Sequence, residues 1–87
     1  IDTAVDAAHP ALRSGAVETL TLRSPERRPS SDRHGTAVAA LLAGQADSEH
    51  PGLLPRARLL AIDVFHGGGN GRDVADTFDL VGGLDAL

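Results

Sequence analysis

Residues 34–43 read His-Gly-Thr-Ala-Val-Ala-Ala-Leu-Leu-Ala and are followed by Gly44. The stretch consists almost entirely of small and aliphatic residues, and a glycine directly after the last of them is typical of a helix C-terminus. We therefore predict a helix over 34–43 with Gly44 at its C′ position. His34, Gly35 and Thr36 then occupy the first turn.

Strands are predicted on both sides of this helix. Residues 16–22 alternate in polarity, as a half-buried strand does. Residues 58–65 are apolar nearly throughout, which is typical of a strand covered on both faces of a parallel sheet. Ile1 is predicted to end an earlier strand. Asp2 would then lie at the carboxyl end of that strand.

A second helix is predicted over 73–87, because Val74, Phe78 and Val81 recur at helical spacing. The pair Gly82-Gly83 weakens this helix by about 1 kcal/mol per glycine relative to alanine. The order strand, strand, helix, strand, helix favours an α/β fold with an open, mostly parallel sheet flanked by helices. The connections are predicted over 24–33, 47–52 and 67–71.

Composition narrows the class of protein. Apolar residues make up 41% of the 87 and charged residues 23%, but the only aromatics are Phe65 and Phe78, so alanine, leucine and valine must fill the core. The net charge of -4 offers no basic stripe, so no nucleic-acid partner is expected. The absence of cysteine excludes disulfides, thiol catalysis and thiolate zinc sites. No apolar run approaches the roughly 18 residues that span a bilayer.

Three segments together resemble the subtilisin-like serine protease (subtilase) family, and they cover nearly the whole chain. Residues 1–6, Ile-Asp-Thr-Ala-Val-Asp, with His-Pro-Ala-Leu at 9–12, are similar to its acid motif. Residues 34–39 match its His-Gly-Thr-x-Val-Ala signature at every fixed position. Residues 52–64 look like its Gly-Val-Ala-Pro-x-Ala segment and the strand that follows.

The resemblance implies a serine endopeptidase with an Asp-His-Ser triad, in which Asp2 is the acid and His34 the base. It also implies that residues 1–87 are an N-terminal fragment of a catalytic domain that is a three-layer α/β/α sandwich when complete. The family's Gly-Thr-Ser-x-Ala context does not occur here. We therefore expect the 87 residues alone to be inactive. The serines of the chain are expected to make local hydrogen bonds in turns and loops, and none is a candidate nucleophile: Ser14, Ser24, Ser30, Ser31 and Ser48.

Two departures from the family pattern concern geometry and metal binding. Ala4 stands where the family usually has glycine, so the backbone there must keep a negative φ. Ala11 stands where many bacterial members carry a calcium-binding aspartate, and residues 45–50 do not resemble their calcium loop. The loop carboxylates Asp47 and Glu49 are expected to be solvated. No cofactor or metal ion is assigned, and a calcium ion held by the oxygen atoms of Asp47 and Glu49 is the less favoured alternative.

Partners and location follow from the resemblance alone. The complete protein would act on peptides or proteins and would be secreted, although the chain itself contains no signal peptide and its residues leave the compartment open. We expect the true N-terminus to lie elsewhere. A fragment of this size would expose apolar faces, so we expect it to need the rest of its domain, or self-association, to fold.

Two other functions remain open at this stage. The stretch His66-Gly67-Gly68-Gly69 follows an apolar strand and resembles the oxyanion-hole motif of lipases and esterases, although the Gly-x-Ser-x-Gly elbow of that fold is missing. Alternatively, the chain is a non-catalytic interaction module that retains Asp2 and His34 by ancestry. An intact serine motif downstream in the reading frame would favour the enzyme.

Overall fold

The computed structural model of the protein describes residues 1–13 and 15–87. The strands are β1 (Val17–Thr21), β2 (Leu59–Asp63), β3 (Phe65–Gly67) and β4 (Asp73–Ala75). The helices are α1 (Arg33–Ala43), between β1 and β2, and α2 (Thr77–Asp85), after β4. The predicted α/β class is confirmed.

A parallel sheet positions the predicted acid. Strands β1 and β2 pair in parallel, from Val17 opposite Leu59 to Thr21 opposite Asp63. Asp2 joins the opposite edge of β2, since its N–H donates to Ile62 O (3.0 Å) and its carbonyl accepts from Val64 N–H (3.2 Å). Asp2 and Asp63 are therefore neighbours at the carboxyl end of the sheet, as predicted for the acid.

Helix α1 begins one residue earlier than predicted and buries a face of small side chains. These are Gly35, Thr36, Ala39 and Ala43. Their spacing of three to four residues places them on one side of the helix. With almost no side-chain volume on that side, the helix can lie close to the chain beneath it.

Gly44 ends α1, but as its C-cap residue and not at the predicted C′ position. Its φ of -53° and ψ of 142° are extended, not left-handed. Glycine fits here for a steric reason. A Cβ at this position would lie 2.6 Å from Ala40 O and 3.2 Å from Gly52 N.

Two predictions for the C-terminal third are corrected. The strand predicted over 58–65 is interrupted at Val64, which separates β2 from β3, and the Asp63 carboxylate accepts Phe65 N–H (3.2 Å) across this break. The helix predicted over 73–87 begins only at Thr77. Its first residues instead form β4, which pairs antiparallel with β3 through a glycine-rich turn in which Gly71 has φ +79°.

Helix α2 contacts the sheet through glycine. A Cβ at Gly83 would lie 3.0 Å from Val64 Cγ1, so the residue that weakens the helix also allows its close approach. Two of the apolar side chains that predicted this helix lie in it and are exposed, Phe78 to 87% and Val81 to 57%.

The core is small and aliphatic. Its buried apolar side chains are Leu12, Ala16, Ala39, Ala43, Ile62 and Val64. Strand β1 is exposed from Glu18 onward, so it is not half-buried as predicted. Strand β2 is buried only at Ile62 and Asp63, because no layer among the described residues covers its N-terminal half.

Large apolar side chains remain exposed on several elements. Those more than half exposed are Leu41, Leu53, Leu54, Phe78, Val81, Leu84 and Leu87. The expectation that the chain needs further protein to fold stays a prediction. None of the helices in the described ranges has the length and apolar character needed to cross a membrane.

Candidate active site

Asp2 and His34 meet at the carboxyl end of the sheet, 32 residues apart in the chain. The Nδ1 atom of His34 lies 2.7 Å from Oδ1 of Asp2. Asp2 is placed by its backbone pairing with β2, and His34 by the first turn of α1. The two residues that the sequence singled out are thus in direct contact.

The contact fixes the proton of the imidazole. An ionised carboxylate can only accept hydrogen bonds, so Nδ1 of His34 must carry the hydrogen. Nε2 is then the basic nitrogen of the neutral ring. The His34 side chain is 71% exposed and that of Asp2 29%, so the base is accessible to a reactant while its partner is largely covered.

Hydrogen bonding keeps Asp2 ionised. Partial burial by itself raises the pKa of Asp2, but the N–H of Thr3, 2.6 Å from Oδ1, together with the hydrogen bond and charge of His34, outweighs burial. The net result is a pKa below the ordinary value for aspartate. A carboxylate that is already stabilised as the anion is suited to stabilise an imidazolium beside it.

Glycine at position 35 allows the acid segment to lie against α1. Gly35 N–H donates to Thr3 Oγ1 (2.9 Å). A Cβ at Gly35 would collide with Ala4 O and would lie 2.8 Å from Thr3 O. Glycine at this position therefore leaves room for the backbone of the acid segment.

Thr36 makes a second contact between α1 and the acid segment. Its Oγ1 accepts the N–H of Asp6 (2.8 Å), so it ties α1 to the acid segment. The His-Gly-Thr motif identified Thr36 as a residue of interest, but only the tertiary structure shows which segment it contacts.

Ala4 satisfies the condition set for it. Among the described residues only Gly15 and Gly71 have positive φ, so the backbone at Ala4 avoids the left-handed region. Its N–H donates to Ser30 Oγ (3.2 Å). The loop before α1 is thereby attached to the acid segment.

Ser30 and Asp63 form a second polar group that sequence reasoning missed. Ser30 is buried and contacts a residue 26 positions away, so its predicted role in local hydrogen bonding was wrong. Burial raises the pKa of Asp63, against the opposing effects of Phe65 N–H, the Arg23 charge and the Ser30 hydroxyl. Arg23 Nε lies 3.8 Å from Asp63 Oδ2. The sequence feature that could have indicated this polar group is Asp63 itself, because the other residues of β2 are apolar.

The other described serines make the local hydrogen bonds expected of them. Ser24 and Ser31 accept N–H groups two residues onward, and Ser48 donates to Gln45 O (2.7 Å). Ser14 lies outside the described residues. No hydrogen bond of a described serine involves His34.

The stretch from His66 to Gly69 belongs to the β3–β4 hairpin. The N–H groups of Gly67 and Gly68 donate to Arg28 O (2.9 Å) and Arg72 O (2.6 Å). His66 is only 3% exposed, and its Nε2 lies 3.2 Å from Arg27 Nη1. These amides serve the fold, and no observation favours an oxyanion hole there.

Carboxylates and histidines do not converge elsewhere in the described ranges. Across residues 1–13 and 15–87, no group of three or more histidine, aspartate or glutamate side chains is arranged to hold a metal ion. His9 and His50 are exposed loop residues.

The family comparison covers the segments that build this geometry. The model of the subtilase family, Peptidase_S8, matches residues 1–80. The chain belongs to the subtilase family. No solved structure matches it significantly.

Membership in the subtilase family agrees with the architecture. The matched range contains the acid segment, helix α1, and the parallel pair β1–β2. The fold is a partial α/β subtilase fold, and the match supports a serine protease as the complete protein.

Proposed function

We propose that Asp2 and His34 are the acid and the base of a serine peptidase triad, and that the complete protein hydrolyses peptide bonds. The observation that carries the proposal is the 2.7 Å contact between His34 Nδ1 and Asp2 Oδ1 in a chain of the subtilase family. The substrates would be peptides or proteins.

The chemistry follows from the tautomer. With its hydrogen on Nδ1, His34 can accept the proton of a serine hydroxyl at Nε2 while that oxygen attacks the peptide carbonyl. The imidazolium then returns the proton to the leaving amine. Asp2 holds the ring in this tautomer and stabilises its positive charge, without taking the proton itself.

We further propose that these 87 residues constitute an N-terminal part of the catalytic domain and do not hydrolyse peptides alone. The sequence contains no Gly-Thr-Ser-x-Ala motif, and the described serines hydrogen-bond to groups other than His34. Loss of the serine alone lowers turnover about a millionfold in an enzyme with such a triad. The nucleophile and the oxyanion donors would lie outside this stretch.

A fluorophosphonate probe tests the proposal, because it labels only a serine that a functioning base activates. The full-length protein should be labelled, and the variants His34→Ala and Asp2→Asn should lose most of that labelling. The 87-residue chain alone should not be labelled.

His50→Ala is the matched control. It removes an exposed loop histidine that belongs to no site described above, and it should be labelled like the wild type. A folded full-length protein that never reacts would refute the peptidase and favour the interaction module. Equal labelling of wild type and His34→Ala would show that His34 is not the base.

A further inference from the structure

Helix α1 receives one side-chain acceptor from the preceding loop, because Ser31 Oγ accepts the N–H of Arg33 (3.3 Å) and no other helix N–H. Asp32 precedes its first residue but makes no side-chain hydrogen bond to the helix. The first N–H groups of a helix have no partner within it and must find one elsewhere. This matters here because the first turn carries His34.

Thr3 supplies a second side-chain acceptor from the other side of the site. Its Oγ1 accepts Gly35 N–H at 2.9 Å, in a buried contact between residues 32 positions apart. The same hydroxyl donates to Ala4 O (3.3 Å), so both its hydrogen and a lone pair are engaged. Thr3 itself is buried.

Thr3 also holds the acid. Its backbone N–H donates to Asp2 Oδ1 at 2.6 Å, on the same oxygen that receives His34 Nδ1. One residue therefore contacts the carboxylate through its backbone and the histidine helix through its side chain.

We infer that Thr3 is a positioning residue that sets the distance between Asp2 and His34 by capping α1 from the acid segment. The inference rests on the proposed function only in treating this pair as the proton-transferring one. The hydroxyl is the essential group: serine preserves it, and valine keeps the shape but removes the acceptor.

Nitrogen NMR of the ¹⁵N-labelled full-length protein tests this directly, since two-bond ¹H–¹⁵N spectra report which imidazole nitrogen carries the hydrogen. The signal of His34 is assigned by its absence from His34→Ala. In alkaline solution, where imidazoles are neutral, wild type and Thr3→Ser should show the Nδ1–H tautomer. In Thr3→Val the ratio of Nδ1–H to Nε2–H should fall about fivefold, the change expected for one lost hydrogen bond.

Thr36→Val is the matched control. Thr36 is also buried, and its Oγ1 also accepts one backbone N–H, that of Asp6 (2.8 Å), but it does not contact Asp2. It should be destabilised comparably and keep the wild-type tautomer. If Thr3→Val also keeps that tautomer, or if Thr36→Val loses it equally, Thr3 has only a structural role and the inference is wrong.

Peptidase kinetics provide a separate test. Thr3→Val should lower kcat with little change in KM, and Thr3→Ser should restore kcat. An inactive wild type would overturn the proposed function, while the tautomer measurement would still decide the role of Thr3.

Discussion

Replacing Gly35 by alanine has two opposing effects on stability. It raises the helix propensity of the first turn of α1, and it introduces a steric clash there. A methyl group there would collide with Ala4 O and would lie 2.8 Å from Thr3 O and 2.9 Å from Thr3 Oγ1. Real Cβ atoms do not approach backbone oxygens that closely, so the acid segment and the helix must separate.

The packing cost should exceed the propensity gain. Alanine favours a helix by about 1 kcal/mol over glycine. Overpacking a tight contact costs about 1–3 kcal/mol, and weakening the Gly35 N–H bond to Thr3 costs about 1 kcal/mol more. We therefore expect Gly35→Ala to lower the free energy of unfolding by about 2 kcal/mol. It should also lengthen the contact between Asp2 and His34.

Urea unfolding of the two helix glycines separates these effects. Gly82 lies inside α2, where the nearest atom to an added Cβ is Leu22 Cδ1 at 3.8 Å. Gly82→Ala should therefore be stabilised by up to about 1 kcal/mol through propensity alone. If Gly35→Ala is as stable as wild type, or gains as much as Gly82→Ala, the argument from close packing is refuted.

Two further outcomes concern charge. Asp2 has a lowered pKa, so its ionised form stabilises the fold above the ordinary aspartate pKa, and this stabilisation is lost as pH falls through the folded-state value. Asp63 has a raised pKa, so its protonated form stabilises the fold. This stabilisation is lost as pH rises from the ordinary aspartate pKa through the pKa of Asp63 in the folded state. Relative to wild type near neutral pH, Asp2→Asn should therefore be less stable and Asp63→Asn more stable, with both differences shrinking in acid. Urea midpoints measured across the acid range check this, and two differences of the same sign would contradict it. The exposed pair Arg58 to Glu18 (3.1 Å) should matter little, so Glu18→Gln should change the unfolding free energy by less than about 1 kcal/mol in the same assay.

Local pattern was sufficient to predict the principal elements of the site. The run of small and aliphatic residues after His34, followed by Gly44, predicted α1. The structure shows that its small residues form the face that packs closely. The acid motif and the histidine motif together predicted that Asp2 and His34 work as a pair. Their contact at 2.7 Å agrees with that prediction, and their catalytic role stays a proposal.

The C-terminal third was predicted less well, because its apolar residues fit more than one structure. Val74 recurs at helical spacing with Phe78, but it lies in β4, where the hairpin turn satisfies the backbone locally. A helical periodicity depends only on the spacing of apolar residues along the chain. It does not detect the turn that separates Val74 from the helix.

The sequence by itself determined the family, the α/β class, and the two residues of the candidate pair, because these depend on residue types at short spacings. Only the tertiary structure decided what holds the pair in place. Thr3 caps a helix 32 residues away, and Ser30 attaches the intervening loop to Ala4. Such contacts join segments that are distant in the chain. The sequence around a threonine or serine does not indicate which distant backbone group its hydroxyl will contact, because that depends on how the segments pack.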